Sequence, residues 1–217
     1  MGQKINPTGF RMGTFLNWKS RWFVEDKNYR DYLLEDIKIR KVLMERLNIA
    51  GITDVEIERL PKSMAVILTV SRPGVVIGRG GSGLEDVKKF IIETMSSLRG
   101  QKVKDVKIDL QVKEVKNPEL EARLVATRIA SELERRLPHR KSINRAMERI
   151  MQAGALGVKI VIAGRIGGAE ISRREKYKKG SVPAQTLREV VDYAQIPALL
   201  KRGYVGIKVY IHKKQEE

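Results

Sequence analysis

The 217 residues contain no cysteine, which removes disulfides, thiolate nucleophiles and zinc ribbons and fits a reducing compartment. Histidine is scarce: His139 and His212 are the two present, and they stand too far apart in sequence to suggest a metal motif such as H-E-x-x-H. The nucleophile signature G-x-S-x-G and the phosphate-binding G-K-[ST] are both missing. No segment approaches the ~20 apolar residues that span a bilayer, and the N-terminus lacks the apolar run of a signal peptide. We therefore expect a cytosolic protein, or one in an organelle matrix, with no cofactor, no metal, no membrane partner and no small-molecule substrate. Internal repeats and low-complexity tracts are absent as well.

Acidic residues are also in deficit. Forty-three Lys and Arg face 26 Asp and Glu, for a net charge of +17. Such an excess opposes compaction unless a polyanion offsets it. Between Arg135 and Gly180 there are thirteen Lys or Arg against three Asp or Glu, so this segment carries +10 of the total. A solvated helix face mixes signs more evenly. The imbalance points to nucleic acid. Apolar residues make up 42%, enough to build cores, and the length suits two domains of roughly 100 residues.

Residues 1–27 read as an arm punctuated by Gly2, Pro7, Gly9 and Gly13, with no sustained period. Its Trp18, Trp22 and Phe23, interleaved with Lys19 and Arg21, either stack on bases or anchor the arm on a domain. Residues 28–115 form the first domain. Asn28 is placed as the cap of a helix running to about Leu47, with an apolar stripe of Leu33, Ile37, Met44 and Leu47. Strands follow around Val55 to Arg59 and over 64–70, joined by a turn at 61–63. A helix with Leu84, Val87, Ile91, Met95 and Leu98 on one face comes next, then an alternating strand over 106–112.

The second domain, residues 116–213, opens at Asn117-Pro118, a cap followed by proline at the first helical position. Ala122, Val125, Ala126, Ile129, Leu133 and Leu137 form its first buried stripe. A basic helix over about 142–153 precedes strands at 158–163, 169–177, 187–193 and 204–212. Residues 214–217 are a short polar tail. The fold class expected is α+β throughout: a three-stranded mixed sheet with helices on one face, then two helices packed on a mainly antiparallel sheet.

Residues 78–83, Gly-Arg-Gly-Gly-Ser-Gly, satisfy both the dinucleotide pattern G-x-G-x-x-G and the nucleotide-clamping G-x-x-G of KH domains. Residues without Cβ let backbone N–H groups approach phosphate, and a helix N-terminus adds positive potential. Pro73-Gly74 cuts the approach to three apolar residues, and no second mononucleotide half follows, so the dinucleotide reading fails on context. The KH reading assigns Ile77 to an apolar groove, Gly78, Arg79, Gly80 and Gly81 to the clamp, and Lys88 and Lys89 to phosphate contact. The order of helix, two strands, loop, helix and strand matches the type II arrangement. His139 is read as part of a basic surface, His212 as a solvated strand end, and Glu35-Asp36 as ordinary surface charge.

Three segments together resemble one family: residues 1–11 (Met-Gly-Gln-Lys-Ile-Asn-Pro-Thr-Gly-Phe-Arg), residues 164–173 (Gly-Arg-Ile-Gly-Gly-Ala-Glu-Ile-Ser-Arg) and residues 206–211 (Gly-Ile-Lys-Val-Tyr-Ile). The family is that of the third protein of the small ribosomal subunit, bacterial type. The resemblance implies a structural, non-enzymatic role in the subunit head, with small-subunit rRNA and the tenth and fourteenth proteins as neighbours. It also implies that the basic helix, with the fourth and fifth proteins, lines the channel through which messenger RNA enters. Arg145 and Arg149 flank the Ala146-Met147 of the family's Arg-Ala-Met stretch, whereas Asn144 and Glu148 stand where bacterial members commonly carry Arg or Lys. The basic-face residues are Arg135, Arg136, Arg140, Lys141, Arg145, Arg149, Arg165, Arg173, Arg174, Lys176, Lys178 and Lys179. A free KH-domain regulator and a nucleic-acid-cleaving enzyme are the alternatives.

Overall fold

The computed structural model describes residues 4–14, 16–60, 63–99 and 107–214. In chain order the elements are α1 (Pro7–Arg11), β1 (Ser20–Arg21), α2 (Asp26–Arg46), β2 (Ile52–Leu60), β3 (Ser63–Val70), α3 (Pro73–Ile77), α4 (Ser82–Arg99) and β4 (Lys107–Glu114). Then come α5 (Ala122–Glu134), α6 (His139–Gln152), β5 (Gly157–Gly164), β6 (Arg173–Gly180), β7 (Val191–Leu200) and β8 (Gly203–His212). They form two units, one built on Trp18–Lys116, the other on Asn117–Glu217 together with the N-terminal residues up to Asn17. Residues 61–62 of the turn expected at 61–63, and the strand start expected at Val106, lie outside the described residues, while Ser63 already belongs to β3.

The first unit carries a mixed sheet in the order β1-β2-β3-β4. It has four strands, not the three expected, because Ser20 and Arg21 pair in parallel with Ile57 and Glu58. A two-residue strand leaves no periodicity to read. β3 is central and parallel to β4, and its Met64, Val66, Leu68 and Val70 are buried. The register sets Val55, Ile57 and Arg59 of β2, and Ile108, Leu110 and Val112 of β4, on that same face. Val87, Ile91 and Met95 of α4 complete the core from the helical side.

α2 departs from its expected stripe. It starts at Asp26, two residues before the Asn28 cap, and Leu33 and Ile37 are 38% and 53% exposed. The buried side chains are instead Ile39 and Leu43, with Glu35 and Asp36 at 2% and 0% exposure. Glu35-Asp36 is thus no surface pair. Arg59 on the inner face of β2 pairs with both carboxylates. Its Nη1 donates to Glu35 Oε2 at 2.7 Å and its Nε to Asp36 Oδ1 at 2.9 Å. The Trp22 indole N–H and the Ser20 hydroxyl both donate to Asp36 Oδ2 at 2.8 Å. Buried charge persists only when paired and hydrogen-bonded, so the arginine fixes which face of α2 turns inward. Trp22 also packs against Tyr29 and Tyr32, an anchoring role, while Trp18 and Phe23 stay exposed at 64% and 93%.

The second unit is a four-stranded antiparallel sheet, order β6-β5-β8-β7. Val158, Ile160 and Ile162 of β5 and Val205, Ile207, Val209 and Ile211 of β8 face α5 and α6. Leu137 lies beyond α5 and is 44% exposed, outside the stripe assigned to it. β6 starts four residues later than expected, and β7 runs on through Pro197 to Leu200. Proline usually ends a strand, but β7 is an edge, where a missing N–H breaks no ladder bond on the open side.

Asn117-Pro118 begins a short 3₁₀ turn rather than the helix. α5 starts at Ala122, whose N–H donates to Asp192 Oδ2 at 2.8 Å, a cap supplied from β7 and invisible locally. The cap-plus-proline signature operates instead at Asn6-Pro7, where Asn6 Oδ1 accepts the Thr8 N–H at 2.9 Å. His212 is not solvated. It is 4% exposed, with Nδ1 3.0 Å from the Ser181 carbonyl and Nε2 2.8 Å from Glu189 Oε2.

The N-terminal residues are not one arm, since α1 packs on the second unit and Ser20–Arg21 joins the first. Arg11, 1% exposed, donates to the carbonyls of Pro7, Pro183, Thr186 and Glu189 at 2.7–3.2 Å. Burial pushes this guanidinium below its ordinary value. Arg11→Met is expected to strand those buried acceptors and cost about 2–3 kcal/mol. Hydrogen exchange should then show protection lost around α1 and 183–189, with α5 and α6 still protected.

Candidate nucleic-acid interface

The glycine loop joins α3 to α4. Proline at the first position of α3 pre-sets its backbone. Gly78, Gly80 and Gly81 then adopt φ of +69°, +63° and +85°, the left-handed region that L side chains rarely enter. A Cβ on Gly80 or Gly81 would meet nothing within 4 Å, so the space around these two is open. The sixth position of the motif, Gly83, does different work. A Cβ there would stand 2.4 Å from the Val76 carbonyl oxygen, so Gly83 sets the close approach of α4 to α3.

Arg79 is exposed at the loop tip, and Ile77 is exposed at 38% while its neighbour Val76 is buried. Lys89 is exposed and Lys88 half-buried on the following turns of α4. The loop therefore brings together an apolar side chain, a cation, backbone N–H groups without Cβ cover and the N-terminus of an 18-residue helix. Such a set holds the sugar–phosphate backbone of a single strand.

The second candidate surface is α6 and its approach. Ser142, Ile143, Ala146 and Ile150 face the core. Lys141, Arg145 and Arg149 fall at i, i+4 and i+8 on the exposed side, about 6 Å apart along the axis. Arg135 and Arg136 are exposed just before α6 and Arg140 in its first turn, and Arg136 holds φ +61°. His139 lies 3.1 Å from Glu175 Oε2, which also accepts from the Tyr177 hydroxyl. The Tyr177 hydroxyl bond, then His139 and Arg173, hold the Glu175 carboxyl below its ordinary value against the opposing effect of burial. His139 is therefore tied to β6 instead of standing free in the basic surface.

The cations of β6 do not form one cluster, since strand alternation divides them. Arg173 and Lys179 share the face of Glu175 and Tyr177, and Arg173 Nε pairs with Glu175 Oε1 at 2.8 Å. Arg174, Lys176 and Lys178 point to the opposite, open face. Arg165 is exposed in the 3₁₀ turn after β5. Gly164, the last residue of β5, is explained from within, because a Cβ there would come 2.8 Å from the Tyr204 carbonyl oxygen on β8. Sequence reading passed over Arg202, whose Nη1 donates to the Gly168 carbonyl at 2.6 Å, and Lys159 and Lys208, which sit inside otherwise apolar strands.

Residues 38–120 match the KH domain family and residues 129–211 match the family described as ribosomal protein S3, C-terminal domain. The small ribosomal subunit protein uS3 of Caldicellulosiruptor saccharolyticus is 46% identical over 98% of this chain and 92% of its own length. That of Persephonella marina is 45% identical over 98% of this chain and 90% of its own. The protein of the same name from Coprothermobacter proteolyticus is 41% identical over 100% and 90%. Identity at this level, spanning both units and the glycine loop between α3 and α4, means that the chain belongs to the uS3 family of small ribosomal subunit proteins.

Proposed function

We propose that the protein acts as a structural constituent of the small ribosomal subunit, held by phosphate contacts to rRNA in the subunit head. The observation that carries this reading is the exposed stripe of Lys141, Arg145 and Arg149 within a segment of thirteen cations and three acids. Cations in that arrangement neutralise phosphates and release counterions on binding. In the same reading α6 helps line the channel through which messenger RNA enters, alongside the fourth and fifth proteins. The tenth and fourteenth proteins adjoin the chain in the head, and the ribosome of the cytoplasm is its location. Glu148 and Asn144 interrupt the cations of α6, which favours holding a strand over forcing a duplex apart.

The KH loop is the second contact in this proposal, a clamp on single-stranded RNA. Aspartate tolerates the positive φ of Gly80 better than most side chains, so Arg79→Asp with Gly80→Asp changes charge more than fold. Co-sedimentation with small subunits in a sucrose gradient at moderate salt is expected for the wild type. The double variant should still co-sediment, yet bind free single-stranded RNA about tenfold more weakly. Undiminished binding of the free variant would remove the loop from the interface. Failure of the wild type to co-sediment would remove the ribosomal assignment.

A further inference from the structure

The face of the second sheet turned away from α5 and α6 has a composition that the fold alone does not require. Across the sheet, register aligns Lys178, Lys159, Tyr210 and Tyr193 in one row and Lys176, Val161, Lys208 and Gln195 in the next. Arg174 stands beside them. The paired positions of this face, from Gly157, Lys159, Val161 and Ala163 outward to their partners on β6, β8 and β7, include no Asp or Glu. Five cations and two tyrosines thus share one face whose paired strand positions carry no carboxylate, while the Glu189 carboxylate at its end is engaged by His212.

At one end of this face lies a cavity of about 640 Å³, walled by Lys4, Ile5 and Phe10, by Lys159 and Tyr210, and by residues 182–186. Its size falls in the range of small-ligand pockets. The Lys159 ammonium rests 5.1 Å from the Tyr210 ring centroid, and the Tyr193 ring packs 4.8 Å from that of Tyr210. Burial, and then the charges of Lys4, Lys176, Arg174 and Lys178, push the Lys159 ammonium below its ordinary value. Repulsion of that kind is what a bound anion relieves.

We propose that this cavity receives one unstacked nucleotide of an RNA strand, its base on Tyr210 and its phosphates on Lys4 and Lys159. The strand then runs outward over Lys176, Lys178, Arg174 and Lys208. A flat ring set among lysines on an open sheet is the arrangement by which sheets take single-stranded RNA. The Lys159 ammonium occupies the aromatic face in the free protein, and phosphate draws it aside so that the base replaces it. The proposal rests on the RNA-binding reading above and adds a site outside both the KH loop and α6.

The test uses the full chain, with a short single-stranded RNA bearing photoreactive thiouridine and crosslinked peptides mapped by mass spectrometry. Crosslinks are expected at Tyr210 or Phe10, in the wild type and in the Arg79→Asp, Gly80→Asp background. In that background Tyr210→Leu should abolish them and weaken binding about tenfold, while Tyr210→Phe restores both. Lys159→Met should reduce the slope of log affinity against log salt by about one. Salt-dependent binding with crosslinks confined to the KH loop or α6, or indifference to Tyr210→Leu, would overturn the pocket and leave the RNA reading standing. Absence of any salt-dependent RNA binding would overturn both.

Discussion

Replacing Asp36 by Ala is expected to lower the unfolding midpoint of the 18–116 unit by about 12 °C or more, leaving the other unit's transition in place. Asp36 is fully buried, and its carboxylate accepts from Arg59, from the Trp22 indole and from the Ser20 hydroxyl. Deleting it strands a buried guanidinium of which Glu35 holds only one arm. Removing one partner of a buried pair costs about 3–5 kcal/mol, and a unit of this size loses at least about 4 °C per kcal/mol. Asp36→Asn keeps a hydrogen-bond acceptor and should cost less. The measurement is clean because the chain's two tryptophans, Trp18 and Trp22, both belong to this unit. Tryptophan emission therefore follows it alone, while circular dichroism follows both. Unchanged fluorescence transitions in Asp36→Ala would mean that the network contributes specificity without stability.

The same network shows why part of the fold was legible and part was not. β3 and β4 announced themselves through apolar runs and alternation, and α5 through its stripe, because in each the buried face is made of apolar residues. α2 misled because its inward face carries two carboxylates whose partner lies on β2. A period counted on apolar residues then selects Leu33 and Ile37, which are exposed. The burial of His212, the Asp192 cap on α5 and the carbonyl cage of Arg11 likewise depend on residues distant in sequence. The glycine loop was readable since its chemistry is local. The basic segment was readable as charge but not as geometry: β6 sends alternate cations to opposite faces, and the lysines that join Arg174, Lys176 and Lys178 come from β5 and β8.

That division sharpens what charge reversal of the second unit should do. Exchanging Arg145, Arg149, Arg173 and Arg174 for Glu is expected to block incorporation into the small subunit. Arg145, Arg149 and Arg174 would each exchange attraction to phosphate for repulsion, so the slope of log affinity against log salt should fall by about three. Affinity at low salt should drop by about a thousandfold or more. The four do not act as one patch. Arg145 and Arg149 lie on the exposed stripe of α6, Arg174 on the open face of the sheet, and Arg173 beside Glu175 on the other. Reversing the α6 pair and the β6 pair separately should therefore give two partial losses whose free energies nearly add, as distant sites do. Arg173→Glu alone should matter least for RNA, because its guanidinium is already engaged by Glu175. Gradient sedimentation of each variant with subunits lacking the wild-type protein reads the outcome. Normal incorporation of the fourfold variant would remove both faces from the RNA interface; a loss confined to the α6 pair would assign anchoring to the helix and leave the sheet face free.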